Sequence, residues 1–230
     1  AFSIAKAVLT VTPDADQSKT FGEDDPVLSY GHSGAVAGET PLFTGALARV
    51  AGEDADTYDI LGGTLALADN APFLAANYTL AFTPGVEFAI GKAESAITAT
   101  GTTAYTYTGT AQGPDTADAT GSAGAVTCSY SGTGETVYGP SADKPTNAGT
   151  YQVVASVAAD ANHDGAESAP LAFSIAKAVL TLTPDADQSK TFGGDDPVLA
   201  YTHSGAVAGE TPLFTGTLSR APGEDAGTYA

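Results

Sequence analysis

The 230 residues include no Trp, no Met, a single Cys, and only 8 Lys and Arg against 27 Asp and Glu. Each shortage removes a class of function. A net charge of −19 leaves no cationic clusters to draw phosphate backbones or anionic lipid headgroups, so nucleic acid is excluded as a partner. The lone thiol, Cys128, cannot close an intrachain disulfide and has no second cysteine for a metal site. It lies in the alternating stretch Val126–Tyr130 with no basic residue beside it in sequence, which reads as a small packed side chain rather than a nucleophile. Apolar runs such as Ile60 to Leu67 fall far short of the ~20 residues that cross a bilayer. No basic-then-apolar leader opens the chain at Ala1, and the expectation is an internal piece of something longer. What is plentiful is small: 27 Gly, with many Ala and Thr, in a chain that is 43% hydrophobic. That is apolar enough to fold.

The chain repeats itself. Ala1 to Asp59 recurs as Ala172 to Ala230, with 49 of 59 positions identical, a degree of likeness that implies recent duplication. Between the copies, Phe88-Ala89-Ile90-Gly91-Lys92 echoes Phe173-Ser174-Ile175-Ala176-Lys177, so one F-x-I-x-K phrase closes each half of the period. The expected order is a closing strand of a preceding module over residues 1–6, one module over 7–92, a different module over 93–177, and a shortened copy of the first over 178–230. That last copy has no counterpart of Tyr78–Thr83 or Val86–Ile90. Its open edge is expected to be poorly ordered or completed by a strand of another chain.

A period of two dominates. Tyr151, Val153, Ala155 and Val157 fall on one face, as do Tyr78, Leu80 and Phe82, and Val86, Phe88 and Ile90; each set reads as a half-buried strand. Further strands are expected at Val8–Thr12, Ser18–Phe21, Val27–Ser33, Leu42–Ala48, Ala96–Thr100, Ala104–Thr108 and Val126–Ser131. All are β-branched or aromatic and bounded by Gly, Pro, Asp or Asn. Abundant Ala favours helix, but no stretch carries an i, i+3, i+4 stripe. Short strands with regular turn signals predict an all-β fold of Ig-like sandwich modules arranged end to end, with β-grasp-like modules as the alternative. Tyr58, Tyr151 and Tyr229 each follow a polar turn at the start of a strand, the place where Ig-like sandwiches tie a tyrosine hydroxyl to upstream backbone.

Several phrases carry a resemblance. Phe21-Gly22-Glu23-Asp24-Asp25-Pro26-Val27-Leu28-Ser29-Tyr30, Phe43-Thr44-Gly45-Ala46-Leu47-Ala48-Arg49, Gly52-Glu53-Asp54 and Asn77-Tyr78-Thr79-Leu80 resemble the bacterial MBG domain of the YGX type, with Phe21 where that family usually has tyrosine. The middle module, through Tyr105-Thr106-Tyr107-Thr108-Gly109, Tyr138-Gly139-Pro140 and Pro145-Thr146-Asn147-Ala148-Gly149-Thr150-Tyr151, resembles a companion Ig-like MBG repeat. The resemblance implies extracellular stalk modules of a large bacterial surface adhesin, with no catalytic residues and with neighbouring modules as partners. The alternative is that the modules themselves bind glycan or host protein, for which Tyr105 and Tyr107 are the best aromatic candidates.

Few residues suggest chemistry. Asp160-Ala161-Asn162-His163-Asp164-Gly165 fits the opening D-x-N-x-D-G of a calcium loop. Its twelfth position is Leu171 where a bidentate glutamate belongs, leaving Asp160, Asn162, Asp164 and Glu167 as the candidate Ca²⁺ ligands. The same residue types build ordinary turns, and that reading is the stronger. The acidic group Asp14, Asp16, Glu23, Asp24 and Asp25 has Lys19 where such a loop needs Gly, and reads as solvated turns. His32 and His203 occupy one repeat position, so a triad would need an active site copied into both modules. His163 has no evident partner. Lys92 and Lys177, with Asn77 and Asn147, could in principle form isopeptide links, but as strand-end lysines they are expected to snorkel at module junctions.

Overall fold

The alternation of the first copy becomes nine strands. They are β1 (Ala7–Pro13), β2 (Ser18–Thr20), β3 (Tyr30–Ser33), β4 (Leu42–Thr44), β5 (Ala48–Arg49), β6 (Thr57–Leu61), β7 (Ala66–Ala68), β8 (Tyr78–Phe82) and β9 (Glu87–Gly91). One sheet has the order β3-β1-β8 and the facing one β2-β9-β6-β5, with β4 and β7 forming a separate pair. Val11 of β1 packs with Leu47, Ile60 of β6, and Phe88 and Ile90 of β9 in one core cluster; Leu9, Phe73 and Tyr78 form a second. Side chains from two sheets thus meet in one interior, as a sandwich requires. The only helical element here is a single 3₁₀ turn at Ala75–Asn77, so Thr-Gly punctuation has overridden the helix propensity of Ala.

The computed structural model describes all 230 residues, and the middle module adds β10 (Ala96–Thr100), β11 (Ala104–Thr106), β12 (Thr116–Thr120), β13 (Val126–Gly132), β14 (Gly149–Val157), β15 (Ala166–Glu167) and β16 (Leu171–Ala176). Its main sheet runs β11-β16-β14-β13 with β15 on β14, beside the pair β10-β12. Tyr151, Val153, Ala155 and Val157 are all buried, as the alternation predicts. The F-x-I-x-K phrase plays one role twice. In β9 it lies parallel to β2 and antiparallel to β6, with Phe88 opposite Tyr58. In β16 it lies parallel to β11 and antiparallel to β14, with Phe173 opposite Tyr151.

Contacts group into two compact units. One comprises Ala1–Thr98, Ala119–Val126 and Ser156–Ser168; the other comprises Ala99–Asp118, Thr127–Ala155 and Ala169–Ala230.

Two of the expected strands are cut short for identifiable reasons. Residues 27–29 are not strand because the Gln17 side chain stands in for one: its amide donates to Ser29 O at 3.0 Å and its Oε1 accepts from Ser29 N at 2.6 Å. Gln188 holds Ala200 in the same way in the second copy. The Leu42–Ala48 run breaks at Gly45, whose φ of 78° suits only glycine, and its halves pair with different strands, β4 with β7 and β5 with β6.

The second copy keeps β17 (Thr181–Pro184) and β18 (Tyr201–Ser204), paired in the register of β1 with β3. Of the eight buried residues in the first copy's two clusters, only Leu9, Val11 and Leu47 have counterparts, Leu180, Leu182 and Leu218. Leu9 is fully buried and Leu180 is 45% exposed.

Candidate functional site

The Asp160–Glu167 loop follows β14. Its first carboxylate is already fully engaged: Asp160 accepts from the backbone N–H groups of Ala123 at 2.8 Å, Asn162 at 2.9 Å and His163 at 2.7 Å. Those N–H bonds, that from Ala123 foremost, hold its carboxyl well below the usual carboxylate range. The Asn162 side chain is turned to the first copy, accepting from Ala55 N at 2.8 Å and donating to Asp54 at 2.9 Å. Asp164 donates its backbone N–H to Ala93 O, and Glu167 sits on β15, 3.5 Å from the Ser156 hydroxyl. No three His, Cys, Asp or Glu side chains are gathered as a metal-holding group. The structure therefore brings Asp160 and Asn162 together as a clasp, which Asp164 joins through its backbone N–H, while Glu167 sits on β15.

His163 is not without a partner, as its sequence context suggested. Its Nδ1 lies 3.1 Å from Asp160 and its ring meets Phe21 edge-on at 5.2 Å. The partners come from 3 and 142 positions away, and the second could not be read locally. Lys92 Nζ donates to Asp160 O at 2.6 Å, and Ala93 bridges His163. Residues 54–55, 21 and 92–93 thus all close on one short loop within the first unit.

A second cluster went unread in sequence. Lys19 Nζ is 2.7 Å from Asp25 and 2.5 Å from Glu53, while Arg49 grips Asp25 with two bonds of 2.8 Å and Glu53 with one of 2.7 Å. The Lys19 and Arg49 side chains are nearly buried, and Arg49 lies over the rings of Tyr58 and Phe88. Hydrogen bonds from Arg49, then Lys19, bring the Asp25 pKa down to about 2. Asp25 is therefore an ion-pair partner and not a solvated turn. The second copy repeats the cluster with Lys190, Asp196, Arg220 and Glu224. The available signal was that six of only eight cations occupy three positions kept in both copies, two of which, Lys19/Lys190 and Arg49/Arg220, form the cluster.

The tyrosine expectation holds three times. The hydroxyls of Tyr58, Tyr151 and Tyr229 donate to the carbonyls four residues upstream, Asp54 at 2.9 Å, Asn147 at 2.7 Å and Asp225 at 2.7 Å. Tyr105 and Tyr107 are both half-buried: Tyr105 packs edge-on against Phe173, and Tyr107 donates to Glu210. A groove of about 520 Å³ runs beside Lys190, Arg220, Leu199 and Leu218 of the second copy. Its four charged side chains pair with one another, and in the first copy Phe88 and Ile90 of β9 sit in the corresponding place.

The Phe21-Gly22-Glu23 phrase makes a tight turn closed by Glu23 N to Thr20 O at 3.1 Å, with Gly22 at φ +86°, a conformation that calls for glycine at the third turn position. A family model for the MBG domain of YGX type matches residues 9–89 and 180–230, more than half of the chain. The chain belongs to the MBG family. The second matched stretch lies within the near-identical copy and the first runs on past it to residue 89, and MBG domains are typical of surface proteins. No curated protein and no solved structure matches the chain. No helix of this MBG chain is long and apolar enough to cross a membrane, which does not bear on β-barrels.

Proposed function

We propose that these MBG modules are non-enzymatic spacers in the stalk of a bacterial cell-surface adhesin, carrying a distal binding region away from the cell. The observation that carries this reading is the boundary near Lys92. There the chain passes from one module to the next with no Gly/Ser tract. The 160–164 loop is fastened to residues 54–55 and 92–93 by five hydrogen bonds between 2.6 and 2.9 Å. All five bonds lie within the first compact unit, and little slack at that passage limits hinge motion there, as a projecting array needs. The paired charges and engaged tyrosines support a surface used for length rather than for chemistry, and the −19 charge would keep similar modules from associating wrongly. Small-angle scattering on the monomeric fraction of the full chain tests the reading. A compact 230-residue body has a radius of gyration of about 17 Å; the stalk requires a clearly larger one, and a value near 17 Å would count against it.

A further inference from the structure

We propose that these modules bear tension: parallel strand ladders fasten the segments by which the chain enters and leaves a module, so a pull along the chain strains all the bonds of a ladder together. In the first copy the opening strand, β1, lies parallel to β8, from Ala7 opposite Tyr78 to Val11 opposite Phe82, and Thr83 N donates to Val11 O at 2.9 Å just beyond. The closing strand, β9, lies parallel to β2, from Ser18 opposite Ala89 to Thr20 opposite Gly91. Ala89 N to Gln17 O at 3.0 Å and Phe21 N to Gly91 O at 2.8 Å extend that ladder at both ends.

Direction decides how such ladders fail. Tension enters at Lys6, before β1, and leaves at Lys92, after β9. Two parallel strands present their outward ends at opposite ends of the ladder, so the pull slides one along the other and loads every bond at once. Antiparallel strands would present those ends side by side and part bond by bond. Leu9 and Val11 of β1 and Phe88 and Ile90 of β9 are buried, which keeps both ladders from fraying. The middle module, of different sequence, repeats the device: its second strand, β11, lies parallel to its last, β16, from Ala104 opposite Ser174 to Thr106 opposite Ala176. Ser174 N to Thr103 O at 2.9 Å and Tyr107 N to Ala176 O at 2.8 Å extend it just as in the first module. Antiparallel pairs outnumber parallel ones about two- to threefold in proteins generally, so the same parallel choice at the same place in two unlike modules points to a shared load. This inference goes beyond the stalk reading and does not rest on it, since a compact envelope would leave the direction of the ladders unchanged.

Optical-trap pulling tests it on the full chain in a Cys128→Ser background, with handles on cysteines that replace exposed side chains. Lys6→Cys with Glu94→Cys loads both ladders of the first module lengthwise. Lys6→Cys with Ala37→Cys instead pulls β1 and β3 apart from adjacent ends, because those strands are antiparallel, with Thr10 opposite Ser33. The first geometry should hold at least about twice the force of the second, which loads its bonds one or two at a time. Adding Asn162→Ala, which undoes the 160–164 clasp, should leave the first force unchanged. Equal forces in the two geometries, or a first force that falls to the second once Asn162 is replaced, would each overturn the proposal.

Discussion

Asn162 joins Asp54 across 108 positions of sequence: its amide donates to the Asp54 carboxylate at 2.9 Å while its oxygen accepts from Ala55 N at 2.8 Å. One side chain thus satisfies a half-buried backbone donor and orients a carboxylate at once. The D-x-N-x-D-G motif supplies the shape for this, since Asp160 ties up the N–H groups of Asn162 and His163 and so points Asn162 outward. Residues that would bind a cation in another setting here fasten two pieces of β structure.

Replacing Asn162 with Ala should leave the Ala55 N–H unpaired, at a cost of about 1 to 3 kcal/mol. Hydrogen exchange should speed up about tenfold or more at Ala55 and Ala93, with little change at buried strands such as β14. Calcium should leave the parent's exchange pattern unchanged, because N–H groups already occupy Asp160. Unaltered exchange at Ala55 in the variant would show that the clasp does not hold the boundary.

Acid should loosen the first copy in a defined window. Asp25 titrates near pH 2 when folded against an ordinary 3.8, so its contribution is complete above the unfolded value and lost as pH falls from about 4 to 2. Glu53, lowered by Lys19 and then Arg49, acts in the same direction. Carboxyl carbon shifts in NMR should place the Asp25 midpoint near 2, and Arg49→Met should move it up toward 3.8. A parent midpoint near 4 would mean the paired geometry does not persist in solution.

Glycine at position 52 should prove necessary. A Cβ there would run into the Tyr58 ring, which is held by Asp54 O on one side and Arg49 on the other. Gly52→Ala should cost about 1 to 3 kcal/mol, the usual penalty of overpacking. Gly31→Ala, with open space around it and no left-handed φ, should be neutral. Urea unfolding monitored by tyrosine fluorescence distinguishes the two, and equal effects would refute the steric account.

Much of this protein is local and so readable in one dimension. The duplication, the inward faces at Tyr78, Leu80 and Phe82 and at Tyr151 to Val157, and the tyrosine ties to carbonyls four residues back all depend on neighbours within a few positions, where strand period and turn chemistry act directly. The family turn at Gly22 is of the same kind. What folding alone decided are the long-range choices. β1 with β8, β2 with β9 and β11 with β16 are parallel pairs, and alternation looks the same in either direction. Gln17 replacing a strand at Ser29, Lys19 and Arg49 meeting Asp25, and His163 meeting Phe21 each need two distant segments at one spot. Side-chain type can propose such partners, but only the packing of the sheets sets which of them come within bonding distance.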